Sequence, residues 1–318
     1  MGLANSLVAR AWWESFHFRC NTILTDDDGL IFGAIFEHQL QQPGPAGARH
    51  HHHPSSSALP PRYIVAFRGT VSRHFKHSDM QLNLKIMTNK HHDSGRYSRA
   101  REQVGRLLDS TTGSGAMVWL AGHSLGASIA LDVGRHVMEK RRRGLPTFLF
   151  NPPHVSLAPV INKLRVGEEA KRDLYVTSFM VKAALAKTVR RSHEKSMSEL
   201  FEKLAPWVPE IYVHERDFVC QGFIDYFEQR QKMLERSRIL RPVAEVAMKM
   251  SFRDMLISLH SSANAENGEE EPRVRPHLLP SARLWKTSSE GYPHGIRQWW
   301  QPDSRLNLRS RQYIYHGP

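Results

Sequence analysis

The pentapeptide Gly-His-Ser-Leu-Gly at 122–126 is the strongest chemical signal in the sequence. The nearly continuous apolar run 116–121 precedes it, and a stretch of small residues beginning at Ala127 follows it. A serine between a buried strand and a helix is the setting of a nucleophile elbow, where the glycines permit a tight turn. The helix N-terminus behind the serine adds partial positive charge where an oxyanion would form. Ser124 is therefore the candidate nucleophile.

A second signal lies at the end of another strand-like run, 63–67, which continues into Arg68-Gly69-Thr70. This order places a flexible glycine and a hydroxyl group at the carboxyl end of a strand. The backbone N–H groups of Thr70 and Leu125 are candidates to converge on one oxygen, with the Thr70 hydroxyl as a third donor. Together they would form an oxyanion hole.

Short apolar runs bounded by turn formers predict the strands that carry these residues. Helix-friendly stretches alternate with the runs, which predicts an α/β fold with a mostly parallel central sheet and helices on both sides. The run 116–121 alternates so little that we expect a parallel strand covered on both faces. The predicted strands are 30–36, 63–67, 116–121, 147–150, 211–213 and 282–285, the last being the expected final strand.

Three stretches interrupt this alternation, and we expect them to be insertions in a single domain spanning 1–318. The segment 41–61 is rich in Pro, Gly, His and Ser, which predicts a disordered loop insertion. The segments 155–209 and 222–275 are mostly helix-friendly and predict helical cap insertions. The second of them ends in an acidic, small-residue linker.

The composition is that of a globular protein, with 40% hydrophobic and 24% charged residues. No stretch of 18 apolar residues exists that would predict a membrane-spanning helix. Two cysteines, Cys20 and Cys220, give neither a disulfide framework nor a cysteine-rich zinc site. The N-terminus lacks the features of a secretion signal. We therefore expect a cytoplasmic location, and no metal or organic cofactor is implied.

The net charge of +13 is concentrated in one part of the chain. The segment 135–195 holds 14 Lys and Arg residues against 5 Asp and Glu residues. Such a surface is either an ordinary solvated face or a contact for anionic groups. Because no zinc-finger spacing or RNA-binding strand motif accompanies it, we expect no specific nucleic acid. Peripheral contact with an anionic membrane surface stays open.

The segments 66–70 and 121–127, about 55 residues apart, together resemble the class 3 lipases, a branch of the α/β-hydrolases. The closer likeness is to a plant subgroup that often carries a GDSL esterase/lipase label, although this chain has no Gly-Asp-Ser-Leu motif. The likeness extends to 150–153, 214–220 and 294–300 and covers about two thirds of the chain. It implies an α/β-hydrolase fold.

The resemblance also implies a general base and an acid that orients it, in the chain order Ser, then Asp or Glu, then His. Asp217 lies where the family keeps its acid, and Glu215 and Asp225 are alternatives. His294, in a loop after the last predicted strand, matches the position of the base. His277 and His316 are the alternatives to it. His123 adjoins the serine, and we expect it to support the elbow rather than to catalyse.

The implied activity is hydrolysis of a carboxylic ester, of a lipid or another acyl ester, through an acyl-enzyme on Ser124. Two departures from the lipase pattern bear on the substrate: the long insertions, and the lack of a proline soon after Asp217 that many class 3 lipases have. Two functions from other classes remain as alternatives. One is a catalytically silent α/β-hydrolase that serves as a binding module, and the other is a basic adaptor for membrane surfaces or nucleic acid.

Overall fold

A computed structural model describes residues 11–39, 60–69, 95–154, 191–236, 249 and 279–316. Within these ranges the fold is α/β, built on one eight-stranded sheet whose strands lie in the order of the sequence. The strands are β1 (Phe18–Thr25), β2 (Ile31–His38), β3 (Tyr63–Phe67), β4 (Val118–His123), β5 (Thr147–Phe150), β6 (Glu210–His214), β7 (Ala282–Thr287) and β8 (Arg309–Tyr313).

The sheet is parallel in its middle and antiparallel at both ends. Strands β3 to β7 pair in parallel, whereas β1 and β2 at one edge and β8 at the other run antiparallel to their neighbours. In the middle, each strand lies beside the next one along the chain. The described helices that join the parallel strands pack on one face of the sheet, not on both sides as the sequence predicted, because right-handed crossovers that always advance in the same direction return on the same face.

In the described part of the chain, the α-helices lie between successive strands from β3 onward. They are α1 (Gly95–Ser110), α2 (Leu125–Arg141), α3 (Arg191–Leu204), α4 (Gly222–Arg236) and the single turn α5 (Asp303–Leu306), with 3₁₀ helices at Trp12–Phe16 and Ile296–Trp300. Helix α1 packs beside α2, and a paired, two-bond contact between Arg101 and Asp132 joins them. Helix α2, which follows the glycine-flanked turn after β4, is therefore held on two sides, by the sheet and by α1.

The hydrophobic core lies on one face of the sheet. Side chains from five parallel strands point to this face and are at most 1% exposed: Val65, Leu120, Leu149, Ile211 and Leu284. They belong to the same cluster as the buried residues of α1, α2 and α4. The opposite face carries a row of half-buried aromatic rings, in which Tyr212 stacks between Phe150 and Trp285.

All six predicted strands are confirmed, with boundaries that differ by at most two residues. The strand predicted at 282–285 is not the last, because β8 follows it and pairs antiparallel with β7. The strand predicted at 116–121 is parallel to both neighbours, as expected, but only one of its two faces is fully covered. In β4, Val118 and Leu120 are buried while Trp119 and Ala121 are only half-buried, since Trp119 belongs to the aromatic face, where it packs on Phe148.

The predicted insertions fall only partly on the described residues. Most of 41–61 lies outside them, as do the first two thirds of 155–209 and most of the second insertion beyond α4. What is described is helical and contributes to the core, with Phe201 of α3 and Phe227 of α4 fully buried. Phe227 stacks on Tyr313 of the edge strand β8.

Within the described ranges, no helix combines the length and the apolar character needed to cross a membrane.

The contact between α2 and Trp207 generates a stability prediction. A methyl group on Gly134 would lie 2.3 Å from the indole ring of Trp207, which is buried and held by a hydrogen bond from its Nε1 to the Leu145 carbonyl. We expect Gly134→Ala to lower the free energy of unfolding by about 1–3 kcal/mol, measured by urea denaturation.

The matched control is Gly105→Ala in α1, where the added carbon would meet only the end of the Arg141 side chain, at 3.5 Å. There the better helix propensity of alanine should leave stability unchanged or raise it by up to about 1 kcal/mol. Equal stability of the Gly134→Ala variant and the native protein would contradict the packing described.

Candidate active site

Ser124 occupies a sharp turn between β4 and α2. Its backbone has φ 54° and ψ −123°, a conformation that residues other than glycine adopt at a cost and that recurs at functional sites. The flanking glycines make the turn possible, because a Cβ on Gly122 would lie 2.3 Å from the carbonyl of Gly126. A Cβ on Gly126 would lie 2.2 Å from the carbonyl of Phe67. Strand, turn and helix therefore meet closer than any side chain allows.

Three of the predicted residues form one hydrogen-bonded row. The Oγ of Ser124 lies 2.9 Å from Nε2 of His294, and Nδ1 of His294 lies 2.8 Å from Oδ2 of Asp217. All three side chains are buried, with Asp217 only 1% exposed. Because the carboxylate only accepts, Nδ1 of the neutral ring carries the proton and Nε2 faces the serine as an acceptor.

Several groups donate hydrogen bonds to the Asp217 carboxylate. Oδ2 accepts hydrogen bonds from His294, from the Asn151 amide at 2.7 Å and from the Cys220 thiol at 3.1 Å, while Oδ1 accepts the backbone N–H of Val219. Burial alone would raise the pKa of this carboxyl. The hydrogen bond from His294, the positive charge that His294 carries when protonated, and the hydrogen bonds from Cys220 and Val219 outweigh burial and hold the pKa below its usual value. The carboxylate is thus kept ionised although it is buried.

The thiol of Cys220 is fully buried beside this carboxylate. Burial, followed by the neighbouring negative charge, raises the pKa of Cys220 well above its ordinary value. The group is therefore a neutral donor to Asp217 and not a nucleophile.

The alternative acids and bases lie elsewhere. Glu215 forms an ion pair with Arg309 at 2.6 Å, and Asp225 lies in the first turn of α4. His316 is exposed near the end of the chain, and His277 lies outside the described residues. Of the candidates that the structure describes, only Asp217 and His294 are brought into the row with Ser124.

His123 holds the loop of His294 from the other side. Its Nε2 lies 2.9 Å from the backbone carbonyl of His294, and the two rings are 5.2 Å apart. Since a carbonyl only accepts, Nε2 of His123 donates. Burial, and then the proximity of His294, lower the pKa of His123 to about 4. The ring therefore stays neutral and fastens the loop of His294, whereas the sequence predicted that it would support the elbow.

Of the two predicted oxyanion donors, the structure describes one. Leu125 is the first residue of α2, where a backbone N–H has no acceptor within the helix. Thr70 lies outside the described residues. Its neighbour Gly69 packs directly on the elbow, where an added Cβ would be 2.8 Å from the His123 carbonyl and 3.4 Å from Cβ of Ser124.

Asn151 was not predicted to take part in the site. The sequence showed it only as part of the likeness at 150–153, because an asparagine after a strand reads as a turn residue. The structure places it fully buried with its amide on Asp217. The available signal was its position directly after a parallel strand, at the same sheet edge as Ser124.

Comparison with known proteins shows the family to which the chain belongs. No protein-family profile matches the chain. A GDSL esterase/lipase of Arabidopsis thaliana is 32% identical to it over 318 aligned positions, covering 95% of this chain and 83% of the relative. This extent of similarity shows the family: the chain belongs to the GDSL esterase/lipase family. The predicted likeness to proteins with that label is confirmed, and it runs well beyond two thirds of the chain.

The buried, neutral His123 generates a pH prediction. Its pKa is about 4 in the folded chain and about 6.5 when unfolded, so the unfolded chain binds the extra proton between these values. The stabilisation is fully present above pH 6.5 and is lost as pH falls toward 4. We expect the free energy of unfolding to fall by about 2 kcal/mol between pH 7 and pH 5 from this group alone.

The measurement is urea unfolding of the native chain and of His123→Asn at both pH values. The variant should be less stable at pH 7 and should depend less on pH. Parallel pH profiles for the two proteins would show that His123 is not the group responsible.

Proposed function

We propose that the chain hydrolyses carboxylic esters with Ser124 as nucleophile, His294 as general base and Asp217 as the residue that orients the base. Membership of the GDSL esterase/lipase family makes the chain a carboxylic-ester hydrolase. The residues and steps are our assignment. The observation that carries it is the unbroken row from Asp217 through His294 to Ser124, at 2.8 and 2.9 Å.

In the proposed mechanism, Ser124 Oγ attacks the acyl carbonyl while Nε2 of His294 takes the hydroxyl proton. The resulting imidazolium is stabilised by the ionised Asp217, which does not itself accept the proton. His294 then returns the proton to the departing alkoxide, which leaves as an alcohol and an acyl-enzyme. Water, deprotonated by the same histidine, releases the acid and regenerates the serine.

The developing oxyanion requires donors beside Ser124. The backbone N–H of Leu125 at the start of α2 and that of Thr70 are the proposed donors, with the Thr70 hydroxyl as the third. Support comes from Gly69, the last described residue before Thr70, which packs on the elbow beside Ser124.

We also infer that the fold is an α/β-hydrolase of the class 3 lipase type. Support comes from the elbow between β4 and α2, from the acid after β6 and from the histidine after β7, which follow the chain order of that fold. A single domain over 1–318, with helical caps in 155–209 and 222–275, is part of this proposal.

A lipid ester is the proposed substrate class. We further propose a cytoplasmic location and a peripheral contact between the basic segment 135–195 and an anionic membrane surface. The alternative of a silent binding module required the serine and histidine to lie beyond hydrogen-bond reach. The 2.9 Å between Ser124 Oγ and His294 Nε2 favours the hydrolase.

Covalent labelling with a fluorophosphonate ester tests the proposal. We expect the native chain to be labelled on Ser124, with detergent present because this side chain is only 6% exposed. Ser124→Ala should lose the label and at least about 10³-fold of the esterase activity. Ser128→Ala, four residues further along the chain and inside α2, is the matched control and should keep both. A folded native chain that takes no label would refute the assignment.

A further inference from the structure

The side-chain amide of Asn151 connects three separate parts of the site. Its Nδ2 donates to Oδ2 of Asp217 at 2.7 Å and to the backbone carbonyl of Pro293 at 3.1 Å. Its Oδ1 accepts from the indole Nε1 of Trp299 at 2.6 Å and from Gln298 Nε2 at 3.3 Å. An amide has two donor hydrogens and two acceptor lone pairs, and all four are used.

These partners leave the amide only one orientation. An indole N–H only donates, so the atom facing Trp299 is the oxygen. A carboxylate and a backbone carbonyl only accept, so the atom facing Asp217 and Pro293 is the nitrogen. Rotating the amide by half a turn would oppose acceptor to acceptor on one side and donor to donor on the other.

We propose that Asn151 is a positioning residue that fixes the Asp217 carboxylate and the backbone of the His294 loop relative to each other, so that turnover depends on it. The inference rests on the serine-hydrolase function proposed above and adds to it a fourth residue, which touches no reacting atom. Pro293 directly precedes His294 in the chain. The acid and the base are therefore tied by one amide as well as by their own hydrogen bond.

The loop of His294 is held at two successive carbonyl groups. Asn151 binds the carbonyl of Pro293, and Nε2 of His123 binds the carbonyl of His294. The imidazole projects from between these anchors, toward Asp217 on one side and Ser124 on the other. A displacement of about 1 Å in such a geometry is enough to reduce a rate about 100-fold.

The position accepts few other residues. Asn151 has φ 47°, the left-handed region that Asn and Asp enter more easily than other side chains and that glycine enters freely. Its backbone N–H donates to the Tyr212 carbonyl at 2.8 Å. Aspartate and glycine therefore keep the backbone while changing the side chain, which makes them informative substitutions.

The experiment compares Asn151→Asp and Asn151→Gly with the native chain, using a p-nitrophenyl ester as substrate. Titration with the fluorophosphonate gives the concentration of competent sites, so that kcat refers to folded protein only. We expect Asn151→Gly to lower kcat about 100-fold with KM changed less than about threefold, because the substrate is not a partner of Asn151. A purely structural role would reduce the number of sites and leave kcat per site unchanged.

Asn151→Asp adds a pH signature. When ionised, the new carboxylate repels Asp217 and donates nothing; when protonated, its O–H donates to Oδ2 as the amide did. The kcat of Asn151→Asp relative to the native chain should therefore rise as pH falls from about 8 to about 6. A packing defect would give a ratio that does not depend on pH.

Asn307 provides the matched control. It has nearly the same backbone, φ 46°, and is an exposed residue that ends α5 away from this network. Asn307→Asp and Asn307→Gly should keep kcat per site.

If the native chain labels and turns over while both Asn151 variants keep kcat within about threefold of it, the positioning role is wrong and the proposed function stands. If the native chain takes no label at Ser124, both are wrong.

Discussion

The hydrogen bond between the buried Asp217 carboxylate and Nδ1 of His294 is the interaction on which the site depends. A carboxylate that is only 1% exposed loses its hydration, which costs several kcal/mol unless donors replace the water. Here the donors are a ring N–H, an amide, a thiol and a backbone N–H. Their arrangement keeps the acid ionised and selects the tautomer in which Nε2 faces the Ser124 hydroxyl as an acceptor.

The sheet explains how residues far apart in the chain reach one another. Four neighbouring parallel strands, β4 to β7, end at the same edge, where ligands and reactive groups of open α/β sheets collect. Each of these strands is followed within a few residues by one member of the network: Ser124, Asn151, Asp217 and His294. The sequential strand order therefore converts spacings of 66 to 170 positions into contacts of 2.7 to 2.9 Å.

The elements with strong local patterns were predictable from the sequence. The elbow was predictable because its glycines are needed where two backbone segments approach closely. Strands β5 and β6 were predictable because each is a compact apolar run. The strand β8 was not predictable because four of its five residues are exposed and polar or charged. The role of Asn151 depends on contacts with residues 66 to 148 positions away, which no local pattern contains. The resemblance favoured Asp217 over Glu215, but both follow β6, and only the fold shows that Asp217 contacts His294 while Glu215 pairs with Arg309.

A double-variant cycle on Ser124 and His294 tests the central claim most directly. Residues that act as one unit lose activity together, so the second substitution costs little once the first is made. We expect Ser124→Ala, His294→Ala and the double variant each to lower kcat/KM for an ester by a similar factor, on the order of 10⁴-fold. Losses that multiply in the double variant, or a His294→Ala variant as active as the native chain, would contradict this claim.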